Sequence, residues 1–157
     1  MTLGERGGDM PEIDSGDSLQ ADLVLDSNLA SVDRGEVVAM EAARKLGYDS
    51  DTQQDIGIAV RESLVNAVAH GNRYNSRKKV RFRVSIGSRG LVVEVEDQGR
   101  GFEPEAVPDP LNGENMMAHS GRGILMIRAY MDEIEYGKVE PEGTRIRMVK
   151  YPPKPEG

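Results

Sequence analysis

Residues 79–97 read KVRFRVSIG, a Ser-Arg-Gly break, then LVVEVED, and this stretch limits the fold more than any other. Val80, Phe82, Val84 and Ile86 share one face of the first strand, while Arg81, Arg83 and Ser85 share the other. On the return strand Leu91, Val93 and Val95 stay in phase with that apolar face, and Glu94 and Glu96 point outward. Period-two alternation on both sides of a short glycine-containing break predicts an antiparallel β-hairpin with one face to be covered.

The cover comes from upstream. A helix is expected from about Leu29 to Leu46, ended by Gly47. A second should open at Ser50, with Gln53 completing a capping box, and run to about Gly71. Residues 19–27, LQADLVLDS, alternate Leu19, Ala21, Leu23 and Leu25 against polar positions and predict a first strand. Beyond the hairpin, residues 102–119 carry Pro104, Pro108, Pro110, Asn112, Gly113 and Asn115, a composition that predicts a long loop. A short apolar helix should follow SGRG, and EIEYG with TRIRMVKY should close the chain as a hairpin around EPEG. Hairpins mixed with helices predict an α+β fold: a mixed, mostly antiparallel sheet covered by helices on one face. The domain should occupy residues 19–151, between a disordered tail at 1–18 and a C-terminal tail at 152–157.

Composition narrows the chemistry. The chain has 157 residues, no cysteine and two histidines, which excludes disulfides, thiolate chemistry and multi-histidine or cysteine-ligated metal sites. With no tryptophan and two phenylalanines, its core must be aliphatic. A net charge of −7 argues against non-specific nucleic-acid binding and leaves room for a basic protein partner. No apolar run reaches the ~20 residues that span a bilayer, and no signal peptide is visible, so a cytoplasmic location is expected.

Three polar features stand out. Within ESLVNAVAHGN, Glu62, Asn66 and His70 recur every fourth residue, so with Asp55 they form a stripe opposite Ile56, Val60, Leu64 and Val68. Such a stripe is either the solvent face of an amphipathic helix or the wall of a site; the mid-helix asparagine and aliphatic flanks favour a site. Asp97 continues the inward phase of Val93 and Val95, so its carboxylate needs a donor. That donor is either backbone N–H of the DQGRG turn or a ligand amino group, with Gly99 and Gly101 allowing a flat ring close approach. Finally, SGRGI at 120–124 is either a turn or a phosphate-binding helix start. Together, in this order, they suit a nucleotide: its base on Asp97, its phosphates at Gly121–Gly123, a Mg²⁺ ion on Asn66, and Glu62 as proton acceptor.

On ESLVNAVAH, EDQGRGF and SGRGI, taken as the N box and two glycine boxes, the sequence resembles the GHKL ATPase superfamily, which includes gyrase, histidine kinases and a heat-shock chaperone. It is most similar to the small anti-sigma factor serine kinases, through SGRGILMIRAYMDEIEY and GTRIRMVKY as well. The resemblance covers about residues 19–151 and implies the Bergerat, histidine-kinase-like sandwich. It implies Glu62 as catalytic base, Asn66 as Mg²⁺ ligand, Asp97 as adenine anchor, and Thr144 beside it. Gly99, Gly101, Ser120, Gly121, Arg122 and Gly123 would contact ATP, and residues 102–119 would form its lid. It further implies a homodimer that binds a sigma factor and phosphorylates a serine of an anti-anti-sigma STAS-domain protein.

One departure bears on activity: from Phe102 to Ser120 there is no Lys or Arg. Phosphoryl transfer needs positive charge near the transferred group, which leaves Arg100, Arg122 and the metal. The sequence therefore supports two functions: a protein-serine kinase that is also an anti-sigma factor, and a nucleotide-gated partner-binding switch with little or no transfer.

Overall fold

The computed structural model describes residues 16–99 and 118–154, and for 118–122 the backbone alone. Five strands form one sheet in the order β1-β2-β3-β5-β4. They are β1 (Ser18–Asp26), β2 (Lys79–Gly87), β3 (Gly90–Asp97), β4 (Glu133–Lys138) and β5 (Thr144–Lys150). All four pairings are antiparallel, so the parallel component anticipated for a mixed sheet is absent among the described residues. Helices α1 (Leu29–Leu46), α2 (Ser50–Val65) and α3 (Ala118–Tyr130) supply the second layer.

The central hairpin forms as its alternation predicts. Val84 faces Val93 and Phe82 faces Val95 across the pair, and Ser88–Arg89 turn the chain between Gly87 and Gly90. Their apolar face meets Val32 and Ala39 of α1, Ile56, Val60 and Leu64 of α2, and Ile127 of α3 in one aliphatic core. Helix α1 has the expected bounds: the Asn28 side chain accepts from Ser31 N at one end, and Gly47 adopts φ 100° at the other.

Four expectations change. Helix α2 is capped by Asp49, not Ser50; the Asp49 carboxylate accepts from Thr52 N at 2.7 Å, and a full negative charge suits a helix N-terminus better than a hydroxyl. The α-helix also stops at Val65, and residues Asn66–Gly71 continue as a π-helical turn. The expected outward charges do lie on the helix-free face of the sheet, yet Arg83 and Glu94 are only 4% and 5% exposed. They pair at 3.0 Å on the inner strands, and on either side the Arg81–Asp22 pair links β2 to β1 and the Arg147–Glu135 pair links β5 to β4. At the edge, a register shift between Leu19 and Ala21 takes Leu19 out of the apolar face, leaving it half exposed.

Candidate functional site

The site is built where α2 ends over the tips of β3 and β5. Strand pairing sets Asp97 beside Thr144, the last and first residues of their strands. Asp97 is buried, and its Oδ1 accepts backbone N–H bonds from Gly99 at 3.0 Å and Thr144 at 3.3 Å. Of the two donors left open for this carboxylate, the structure records the backbone, with both bonds on one oxygen. Oδ2 faces Gly71, where a Cβ would stand 2.4 Å from it. Burial pushes the Asp97 carboxyl up to about 6, against the two backbone donors and Lys78, which favour its charged form.

Asn66 stands across from Asp97, and both line one recess. Val95 and Ile146 give it an apolar floor, Ala67 and Ser63 a wall on α2, and Tyr136 and Thr144 the far side. The Ser63 hydroxyl lies 3.0 Å from both Ala59 O and the Met148 sulfur, the two acceptors open to its one proton. Of the lining residues, Ser63, Ala67, Val95 and Tyr136 had no site role in the sequence reading, while Ile146 shares the inward phase of Thr144; Tyr136 pairs with Ile146 in β4–β5 and continues the same alternation.

The polar stripe of α2 is not a solvent face. Glu62, Asn66 and His70 are all half-buried, and α3 packs alongside. A Cβ on Gly123 would lie 2.9 Å from Glu62 Oε2 and 3.8 Å from Asn66 Nδ2, so the second glycine box meets the N box directly. This explains a correction. Helix α3 begins at Ala118, so Ser120–Gly123 lie inside it and do not open it. Gly123 serves close helix packing instead of a turn. The side chains of Ser120 and Arg122 lie outside what the structure describes, and Gly121 is described by its backbone in α3. Gly101 and Arg100 lie outside the described residues, as does the expected lid up to residue 117, while Ala118 and His119 belong to α3.

One residue with no role in the sequence reading holds the site together. Asn72, there only part of a helix stop, is buried, and its amide nitrogen donates to Ser27 Oγ at 2.9 Å and to Lys79 O at 3.0 Å. Its Oδ1 accepts from Gln98 N at 2.8 Å. Three separate segments therefore meet on one amide, next to the Asp97 turn. Gly99 packs on Gly71 so tightly that a Cβ there would fall 1.7 Å from Gly71 O.

Residues 25–150 match the model of the histidine kinase-like ATPase domain. The chain is 34% identical over 98 residues to an anti-sigma F factor of Clostridium perfringens, covering 61% of this chain and 70% of that protein. An anti-sigma F factor of Thermoanaerobacter sp. is 31% identical over 99 residues, with 62% and 68% covered. One of Clostridium kluyveri is 29% identical over 135 residues, with 85% and 93% covered. The chain belongs to the histidine kinase-like ATPase family of the GHKL type, where these anti-sigma F factors are its relatives.

Proposed function

We propose that this protein is an ATP-binding anti-sigma factor that sequesters a sigma factor and phosphorylates a serine of an anti-anti-sigma STAS-domain protein. The observation that carries the nucleotide reading is the recess flanked by Asp97 and Asn66, with Glu62 one turn from Asn66 and against Gly123. Its aliphatic floor and buried carboxylate suit a flat ring bearing an amino group, and the close packing of Gly71 and Gly99 leaves no side chain in between.

Among the described residues no group of three His, Asp or Glu side chains could hold a metal unaided. Asn66 offers one hard oxygen, a fit for Mg²⁺ that takes its remaining ligands from phosphates and water. When bound, Mg²⁺ would offset negative charge on the phosphates. Asp97 accepts the adenine amino group, and Thr144 holds that carboxylate through its backbone N–H while its side chain lines the recess. Glu62 accepts the proton of the incoming serine hydroxyl as its oxygen bonds to the γ-phosphorus and the bond to the β-phosphate oxygen breaks, giving phosphoserine and ADP. Arg122 is our choice for a phosphate contact, with Ser120, Gly121 and Gly101 as further proposed ATP contacts. The working unit is a homodimer in the cytoplasm, where sigma factors act.

The lid region without Lys or Arg favours a second reading, a nucleotide-gated switch with little transfer. Incubation with γ-labelled ATP, Mg²⁺ and the purified STAS protein separates the two. Label on a STAS serine is expected; an unlabelled partner in an intact ATP-dependent complex would establish the switch instead.

A further inference from the structure

The recess beside Asp97 is narrow: about 20 Å³ is open to the centre of a water-sized molecule, room for roughly one water. Each side chain that lines it therefore stands close to any group that reaches the Asp97 carboxylate from that side. Among the described residues, Tyr136 is the largest of these side chains.

It also reaches in from the greatest distance. Asp97 pairs with Thr144 of β5, and Tyr136 lies on β4 beyond it, beside Ile146. Two strand spacings, roughly 10 Å, separate β3 from β4. A short side chain on β4 does not cover that distance. Tyrosine does, and its ring packs against the aliphatic core, which fixes it as a wall. The neighbouring walls Val95, Ala67, Ser63 and Ile146 are buried, whereas Tyr136 is half-buried on an edge strand. It is thus the lining position whose bulk can change with the least damage to the core.

We propose that Tyr136 sets the size of base that the recess admits: it leaves room for an unsubstituted amino group on Asp97 and excludes a larger one. This rests on the nucleotide reading above, in which Asp97 accepts the adenine amino group. A recess this small takes the amino edge of the base, with the rest of the ring toward its mouth. The selection is by volume, since a ring already packed on the core cannot yield to added atoms without displacing its neighbours.

The test uses the full chain with Mg²⁺ and two probes: ATP, and ATP carrying a benzyl group on the adenine amino nitrogen, which keeps one N–H for Asp97. Affinities are compared for wild type, Tyr136→Phe, Tyr136→Val and Tyr136→Ala. Wild type should prefer ATP by at least about tenfold, or ~1.4 kcal/mol. Tyr136→Phe should keep that ratio because it keeps the ring. Tyr136→Val and Tyr136→Ala should reduce it at least about tenfold through tighter binding of the benzyl analogue. Valine favours strands, so its variant holds the test if the alanine variant fails to fold. A ratio unchanged in the small variants, or reduced as far by phenylalanine as by valine, would overturn the size limit and leave the nucleotide reading intact. So would a wild type that binds both probes equally. A wild type that binds neither probe would overturn the nucleotide reading and the proposal with it.

Discussion

Gly71 closes the back of Asp97: the space where a Gly71 side chain would begin lies 2.4 Å from Asp97 Oδ2 and 2.5 Å from its Cγ. The end of the N-box helix and the carboxylate are therefore in direct contact, and neither can move alone. Gly71→Ala should push Asp97 out of place, reducing stability by about 1–3 kcal/mol as other overpacked sites do. ATP affinity should fall at least about tenfold, or ~1.4 kcal/mol. Titration calorimetry together with a denaturant melt checks both; an alanine variant with wild-type affinity would show that Asp97 does not set the site.

Asp97 itself should reveal opposing demands. Its folded pKa of about 6 lies above the ordinary 3.8, so the folded state takes up its proton first as pH falls. The nucleotide-free protein should therefore gain stability between pH 7 and 4 from this group, the opposite of a salt-bridged carboxylate, by an upper bound of about 3 kcal/mol at 1.4 per unit. Adenine binding needs the ionised form, so ATP affinity should decline below about pH 6. Asp97→Asn should lose ATP binding yet melt higher than wild type at pH 7.5, an advantage that shrinks to about a third at pH 4.5. Melting curves at the two pH values decide it.

Glu62 and Asn66 should separate binding from chemistry. Glu62→Gln keeps shape and hydrogen bonding, so ATP affinity should hold while phosphoryl transfer drops about 10²–10⁴-fold. Asn66→Ala should instead lose the Mg²⁺-dependent part of ATP affinity. Binding measured with and without Mg²⁺, next to single-turnover labelling, distinguishes these patterns from a shared structural defect.

Asn72→Ala should be among the most damaging changes outside the recess. It strands Gln98 N–H and Lys79 C=O after removing a buried amide, at about 1–3 kcal/mol for each unsatisfied group. Amide exchange at Gln98 should quicken by the same factor as global unfolding or more, which exchange mass spectrometry reads directly.

On the opposite face, Arg83→Met should destabilise by about 3–5 kcal/mol because Glu94 is left buried without its partner. Replacing both, as Arg83→Met/Glu94→Leu, should restore most of that loss. Chemical denaturation of the three proteins forms the necessary cycle.

How far the sequence reached depends on the range of the forces involved. The bounds of α1 follow from Asn28 and Gly47, and the β2–β3 register follows from alternation across a short turn, so both were legible locally. Asn66 and Asp97 were singled out because a mid-helix amide and an inward carboxylate are anomalies against simple patterns. The π turn of Asn66–Gly71 was not legible, because it brings Gly71 against a residue 26 positions away (97 minus 71). The start of α3 was expected at SGRG for a similar reason: glycine marks both helix ends and close helix contacts, and only the neighbouring helix shows that Gly123 makes such a contact. The burial of Arg83 and Glu94 required knowing that β2 and β3 are interior strands.

The carboxylate of Asp97 is held by main-chain N–H groups of Gly99 and Thr144, donors that no exchange at position 144 other than proline removes. Anchor and walls are thus inherited separately. Residues such as Ser63, Ala67, Tyr136 and Ile146 can drift to reshape what the recess admits, while the carboxylate proposed to anchor the base stays where the backbone puts it. Nucleotide preference in such a pocket is an evolvable property laid over an invariant one.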